Sequence, residues 1–237
     1  MNNKNIIIIA IAMILSAFIM GIYFYSARKP VNTIRVVGYA SGEYDSDILK
    51  WVLVFTTQTL VNNQMDGYRF LNRDINNFRT FLTERGFNAN DLEISSANNW
   101  QNWGNQGVVT GFTFEQRVAF TLRDTTRFHE IERHAFDLSE LAAIRVIIRQ
   151  STLEYYISTL PDAKIEIIAE ATRDARERAQ KVADTTNTRL GKLRTGRVGV
   201  FQITEPHSVE VQGMGIFNTS TRRKQISVTM TGEFELR

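Results

Sequence analysis

The run His129-Glu130-Ile131-Glu132-Arg133-His134 places two imidazoles and two carboxylates close together. Those are the groups from which a zinc-dependent hydrolase builds its site. The spacing fails the chemistry. A zinc helix needs histidines at i and i+4, so that both rings share one face. Here they are five residues apart, about 140° around a helix. Nothing elsewhere in the chain supplies an evident third ligand, so the run reads as solvated helix surface. Gly38-Tyr39-Ala40-Ser41-Gly42 lacks both phosphate-loop spacings and lies inside a strand pattern. No G-x-S-x-G elbow occurs. No carboxylate sits in an apolar setting that would raise its pKa, and His207 stands alone in a polar stretch. There is no cysteine, which excludes disulfides, thiolate catalysis and cysteine-ligated metal. The expectation is no catalytic residue, no metal site and no cofactor.

Recognition has better candidates than catalysis. Trp100 and Trp103 lie in a polar, turn-prone stretch, Asn-Asn-Trp-Gln-Asn-Trp-Gly-Asn-Gln-Gly. Their rings either fold back on the hairpin, as large aromatics do where they can bury area, or form a binding tip for a glycan, a lipid interface or a partner protein. Ala171, Ala175 and Ala179 recur every four residues on the longest helical segment. Such a small-residue face either packs inside the fold or offers a contact surface to another chain.

The elements that must position these residues follow from the periodicity. Alternation at 34–44 and the β-branched, aromatic run at 49–60 predict two strands paired as a hairpin. Met65, Tyr68, Leu71, Ile75, Phe78 and Leu82 repeat at three and four residues, which predicts a helix over 65–85, stopped by Gly86. A strand at 92–96 and another at 112–122 flank the asparagine-rich tip. Asp124 is placed to cap a helix over about 126–139. Short strands are expected at 143–149 and 153–157. The longest helix is expected from Asp162 to about Leu190, ended by Gly191, and the last strands at 199–203 and 225–236. Residues 205–221 read as an irregular connection. Hairpins interspersed with helices, without a run of βαβ units, predict an α+β fold: a mainly antiparallel sheet built from hairpins, with three helices packed on it.

Ahead of this body stand residues 6–25, which carry no charge. As a helix they would extend about 30 Å, the thickness of a bilayer core. Tyr23 and Tyr25 suit the interface. A cleaved signal would put Ala27 at −1 and the bulky Tyr25 at −3, so an uncleaved transmembrane anchor is the better reading. Charge on the two flanks is nearly balanced, Lys4 against Arg28 and Lys29, and does not set the orientation. Both the anchor and the signal reading place the body outside the cytoplasm. The expected organisation is a tail at 1–5, the anchor at 6–25, a linker at 26–32 and one domain at 33–237. The net charge of +3 is small and scattered, which gives no basic stripe for a nucleic acid.

Three body segments together resemble the SIMPL domain family. They are the opening strand IRVVGYASGEY, the strand GFTFEQRVAFTLRD, and the helix LPDAKIEIIAEATRDARERAQKVAD with the LGKL and ITEP that follow it. The closing QISVTMTGEFEL fits as well, so the resemblance spans 34–236. Tyr44-Asp45-Ser46-Asp47 stands where many members have Pro-Asp, and Phe112 replaces the usual tyrosine after Gly111. The resemblance implies an α+β body, usually exported, that in some members forms a ring- or channel-like homo-oligomer. It brings no catalytic residues. The expected function is therefore a non-enzymatic, membrane-tethered envelope protein that self-associates or binds a protein partner. Glycan or lipid binding through Trp100 and Trp103, and an enzyme with an unrecognised site, are the alternatives.

Overall fold

The computed structural model describes the backbone of residues 3–27 and 32–237, and the side chains of 11–25, 32–105 and 107–237. Helix α1 is Asn3–Ala27. Among the described residues no helix is long and apolar enough to cross a membrane. The expected span over 6–25 includes residues 6–10, whose side chains lie outside that description. Residues 1–2 and 28–31, parts of the expected tail and linker, also lie outside the described residues.

The remaining elements run in order: β1 (Thr33–Asp45), β2 (Ile48–Leu60), α2 (Gln64–Glu84), β3 (Leu92–Ile94), β4 (Asn98–Trp103), β5 (Val109–Leu122), α3 (Phe128–Phe136), α4 (Ser139–Ala143), β6 (Ile148–Tyr156), α5 (Leu160–Thr185), β7 (Leu190–Val198), β8 (Gln202–Thr204), β9 (Ile216–Phe217) and β10 (Arg223–Leu236). The fold is α+β. Where one sheet was expected there are two, each five-stranded. Where three body helices were expected there are four, and with α1 the described chain has five. By packing, the chain divides into two compact units: residues 40–170 with 200–228, and residues 1–39 with 171–199 and 229–237.

In the larger unit β2 is central. It pairs antiparallel with β5 from Leu49↔Leu122 to Leu60↔Gly111, and on its other side with β6. Strict alternation then sends Leu49, Trp51, Leu53 and Phe55 to one face, where they are fully buried. Phe114, Val118 and Phe120 of β5 join them, and the apolar stripe of α2 closes over that face with Leu71, Ile75, Phe78 and Leu82. Phe78 meets Trp51 and Phe55 edge-on, with centroids 5.4 and 5.7 Å apart. Each such ring stabilises the fold by roughly 1.5–3 kcal/mol through burial.

The expected β1–β2 hairpin does not form. β1 lies beside β10 in the other sheet, and β2 lies between β5 and β6. The two-residue link explains this. The Ser46 amide donates to the Arg222 carbonyl at 2.9 Å, while the next amide, Asp47, donates to Tyr156 at 3.1 Å. Adjacent residues are thus tied to different sheets. The single helix expected over 126–139 is likewise interrupted. Asp137 is extended (φ −113°, ψ 95°), and its carboxylate accepts the Ser139 amide at 3.0 Å, which opens α4. Residues 143–147 therefore belong to the end of α4 and a turn with Arg145 at φ +63°, and the following strand starts at Ile148.

In the smaller unit β10 pairs antiparallel with β7, from Met230↔Val198 to Leu236↔Leu190. β7 was unforeseen, because the long helix was extended to Leu190. It stops at Thr185 because Asn187 turns left-handed (φ +52°) and the Thr188 amide returns to the Ala183 carbonyl at 2.9 Å. Gly191 then lies inside β7 rather than at a helix end.

Candidate interaction surfaces

The histidine run splits as its spacing requires. His129 is exposed, and its Nδ1 lies 2.9 Å from the Thr126 carbonyl. His134 faces inward at 5% exposure, edge-on to Phe81 with centroids 5.1 Å apart and 3.4 Å from the Glu140 carboxylate. Surface is the right reading for His129 and the wrong one for His134. Burial pushes the His134 imidazole below its ordinary pKa, against the opposing pull of Glu140. Among the described residues no group of three or more His, Asp or Glu side chains comes together as a metal site.

Three other buried polar groups, Asp74, Tyr155 and Lys224, are held by structural partners. Asp74 is fully buried on α2. Arg73 donates to its Oδ1 through Nη2 at 2.7 Å and Nε at 2.9 Å, and the Ile147 amide approaches its Oδ2. Tyr155 donates to Glu132 at 2.8 Å, and its burial raises the phenol pKa. Lys224 on β10 is 1% exposed and donates to the carbonyls of Asn218 and Thr221 at 2.7 and 2.8 Å. Desolvation lowers its ammonium pKa to about 8. Neither Asp74 nor Lys224 stood out in the sequence, because each lies on an element whose apolar pattern masks a single charge.

The alanine face is inside the fold. Ala171, Ala175 and Ala179 are fully buried, and so is Ala183 one turn on. A Cβ at Gly38 would overlap the Ala171 carbonyl oxygen and the Ala175 nitrogen, so helix and strand are in backbone contact there. Small residues serve intramolecular packing, and these alanines offer no free contact surface.

Trp100 and Trp103 are instead exposed, by 43% and 63%. The stretch 98–103 is a strand rather than part of a loop, and only its continuation forms the tip. β4 pairs with β5 as Asn98↔Glu115, Trp100↔Thr113 and Asn102↔Gly111, with a bulge before Trp103↔Val109. Odd-numbered Asn99 turns toward α2, where its amide donates to the Tyr68 hydroxyl at 2.6 Å. Even-numbered Asn98, Trp100 and Asn102 therefore share the face of the sheet opposite α2. The register extends this face in rows: Trp100, Thr113, Gln58, and then Asn102, Gly111, Leu60. Farther along the same face the side chains are charged and paired. Lys50 donates to Glu93 at 2.6 Å, and Arg149 pairs with Glu115.

A second surface lies in the connection before β10. Val209 and Met214 are each 96% exposed, and Val211 is 76% exposed. The backbone there is held in place. Gln202 Nε2 donates to the Gln212 carbonyl at 2.8 Å, and the Gly215 amide donates to Gln212 at 3.0 Å with Gly215 at φ +86°. The alternation Val209-Glu210-Val211 was the available signal, hidden by the flanking turn residues.

With this geometry in place the comparison is specific. The model of the SIMPL family, described as a protein of unknown function (DUF541), matches residues 34–234. The chain belongs to the SIMPL family. No curated protein matches it. The matched SIMPL region runs from within β1 to within β10 and includes both exposed surfaces.

Proposed function

We propose that this SIMPL protein is a non-enzymatic envelope protein, held at a membrane by residues 6–25 with its body outside the cytoplasm, whose body self-associates or holds a protein partner. The observation that carries the reading is the pinned loop with Val209, Val211 and Met214 in water. Nearly complete exposure of three apolar side chains on an anchored backbone suits a surface that is covered in use. The uncharged stretch 6–25 supports the tether. Buried Asp74, His134 and Lys224 are each occupied by packing or hydrogen bonds, which supports a structural role over a catalytic one.

Replacing Val209, Val211 and Met214 together with serine in the full chain tests the surface. In native membranes, chemical cross-linking is expected to give adducts heavier than one chain for the wild type and to lose them in the triple variant. Adducts that persist unchanged would show that this loop is not the contact.

A further inference from the structure

We propose that the face opposite α2 at the β4 end of the larger unit's sheet, where Trp100, Gln58 and Leu60 are exposed, is a binding platform for an uncharged glycan. The proposal goes beyond self-association and does not rest on it. Residues 51–65 and 94–114 contain no charged side chain, in a chain where charged residues make up 22%. The strand pairing brings these two stretches side by side, as Gln58↔Thr113↔Trp100 and Leu60↔Gly111↔Asn102. An anionic or cationic ligand would find no counter-charge there, whereas an uncharged one needs none.

The side chains on the platform have the chemistry a pyranose ring needs. The indole of Trp100 offers an apolar face on which the C–H face of a sugar can stack. Amides flank it, and a primary amide both donates and accepts, which matches a hydroxyl. Gln58 is exposed, and its side chain makes no hydrogen bond among the described residues. Asn102 accepts from the Thr113 hydroxyl at 2.8 Å through Oδ1, which fixes the side chain and leaves its NH₂ group directed elsewhere. Gly111 stands between Asn102 and Leu60 and contributes no side chain. A Cβ there would overlap the Thr59 carbonyl oxygen, so the row has a built-in gap. A strand frame therefore presents one exposed ring, one oriented amide at Asn102, a free amide at Gln58, and a gap at Gly111.

The same amides argue against a lipid bilayer as the occupant. Sinking Trp100 into the acyl region would carry Gln58, Asn98 and Asn102 with it, and each unpaired amide costs several kcal/mol in hydrocarbon. An extended glycan satisfies these groups instead of stripping them of water.

The test uses the full chain in phosphatidylcholine nanodiscs, titrated with chitohexaose and with cellohexaose by calorimetry. Binding of at least one hexasaccharide is expected. Trp100→Ala should weaken it about tenfold, Gln58→Ala should weaken it measurably, and Trp100→Phe should keep most of it. Circular dichroism on each variant separates lost binding from lost fold, and Gln58→Ala decides the question if Trp100→Ala does not fold. No binding of either hexasaccharide, or binding unchanged in both alanine variants, would overturn the proposal. So would quenching of tryptophan emission by brominated lipid in the nanodisc that is lost in Trp100→Phe, which would assign the face to the bilayer.

Discussion

Lys224 shows how a single buried charge is tolerated. Its ammonium donates to two backbone carbonyls but meets no carboxylate among the described residues, so no opposite charge offsets the loss of water around it. The pKa falls from 10.5 to about 8 in the folded chain. Between those two values the unfolded chain keeps the proton and the folded chain has released it. Stability must then rise with pH across that window, by up to about 3 kcal/mol. Below about pH 8 both states are protonated and this contribution is flat. Urea unfolding of the wild type at the two ends of the window should show the rise, and Lys224→Met should remove most of it. A wild-type midpoint that is the same at both ends would contradict the description of this site. His134 obeys the same rule at lower pH, because its folded pKa is also depressed. Its contribution to stability is lost as pH falls below the ordinary histidine value of 6.5.

Packing of α5 on β1 depends on glycine and alanine rather than on large side chains. The contact of α5 with β1 is close enough that Gly38 has no room for a methyl group. Gly38→Ala should therefore cost about 2–3 kcal/mol, since the clash is with helix backbone that cannot rotate away. Thermal unfolding of that variant measures it, and an unchanged midpoint would mean that helix and strand are farther apart than described. The helix stripes were legible in the sequence except at the start of α2, where Met65 and Tyr68 are exposed. Period and burial agree for Leu71, Ile75, Phe78 and Leu82 on α2 and for Ala171, Ala175 and Ala179 on α5. What the alanines pack against was not legible, since small residues suit either an internal or an external neighbour. Strand pairing was harder. Alternation marked 34–44 and 49–60 as strands but could not say that Ser46 and Asp47 bond in opposite directions. β7 stayed hidden because residues 190–198 are almost wholly exposed and carry no burial signal. The tryptophans were found by type. Their exposure follows from register, which is fixed by pairing partners distant in sequence.

At the scale of the whole molecule, the SIMPL body is proposed to work by contact. One of its exposed surfaces is apolar and the other is aromatic and amide-rich, and a single chain leaves both in water. The proposed tether would restrict such a body to a membrane plane and raise its local concentration, which favours weak contacts between copies or with an anchored partner. The most direct measurement is the solution mass of the full chain, extracted in mild detergent and followed by sedimentation velocity with the bound detergent subtracted. Self-association or a held partner predicts a protein mass that is a multiple of the 27.2 kDa chain or that includes a second protein in fixed ratio. A single 27.2 kDa chain at high concentration, with no companion protein retained from the membrane, would contradict it.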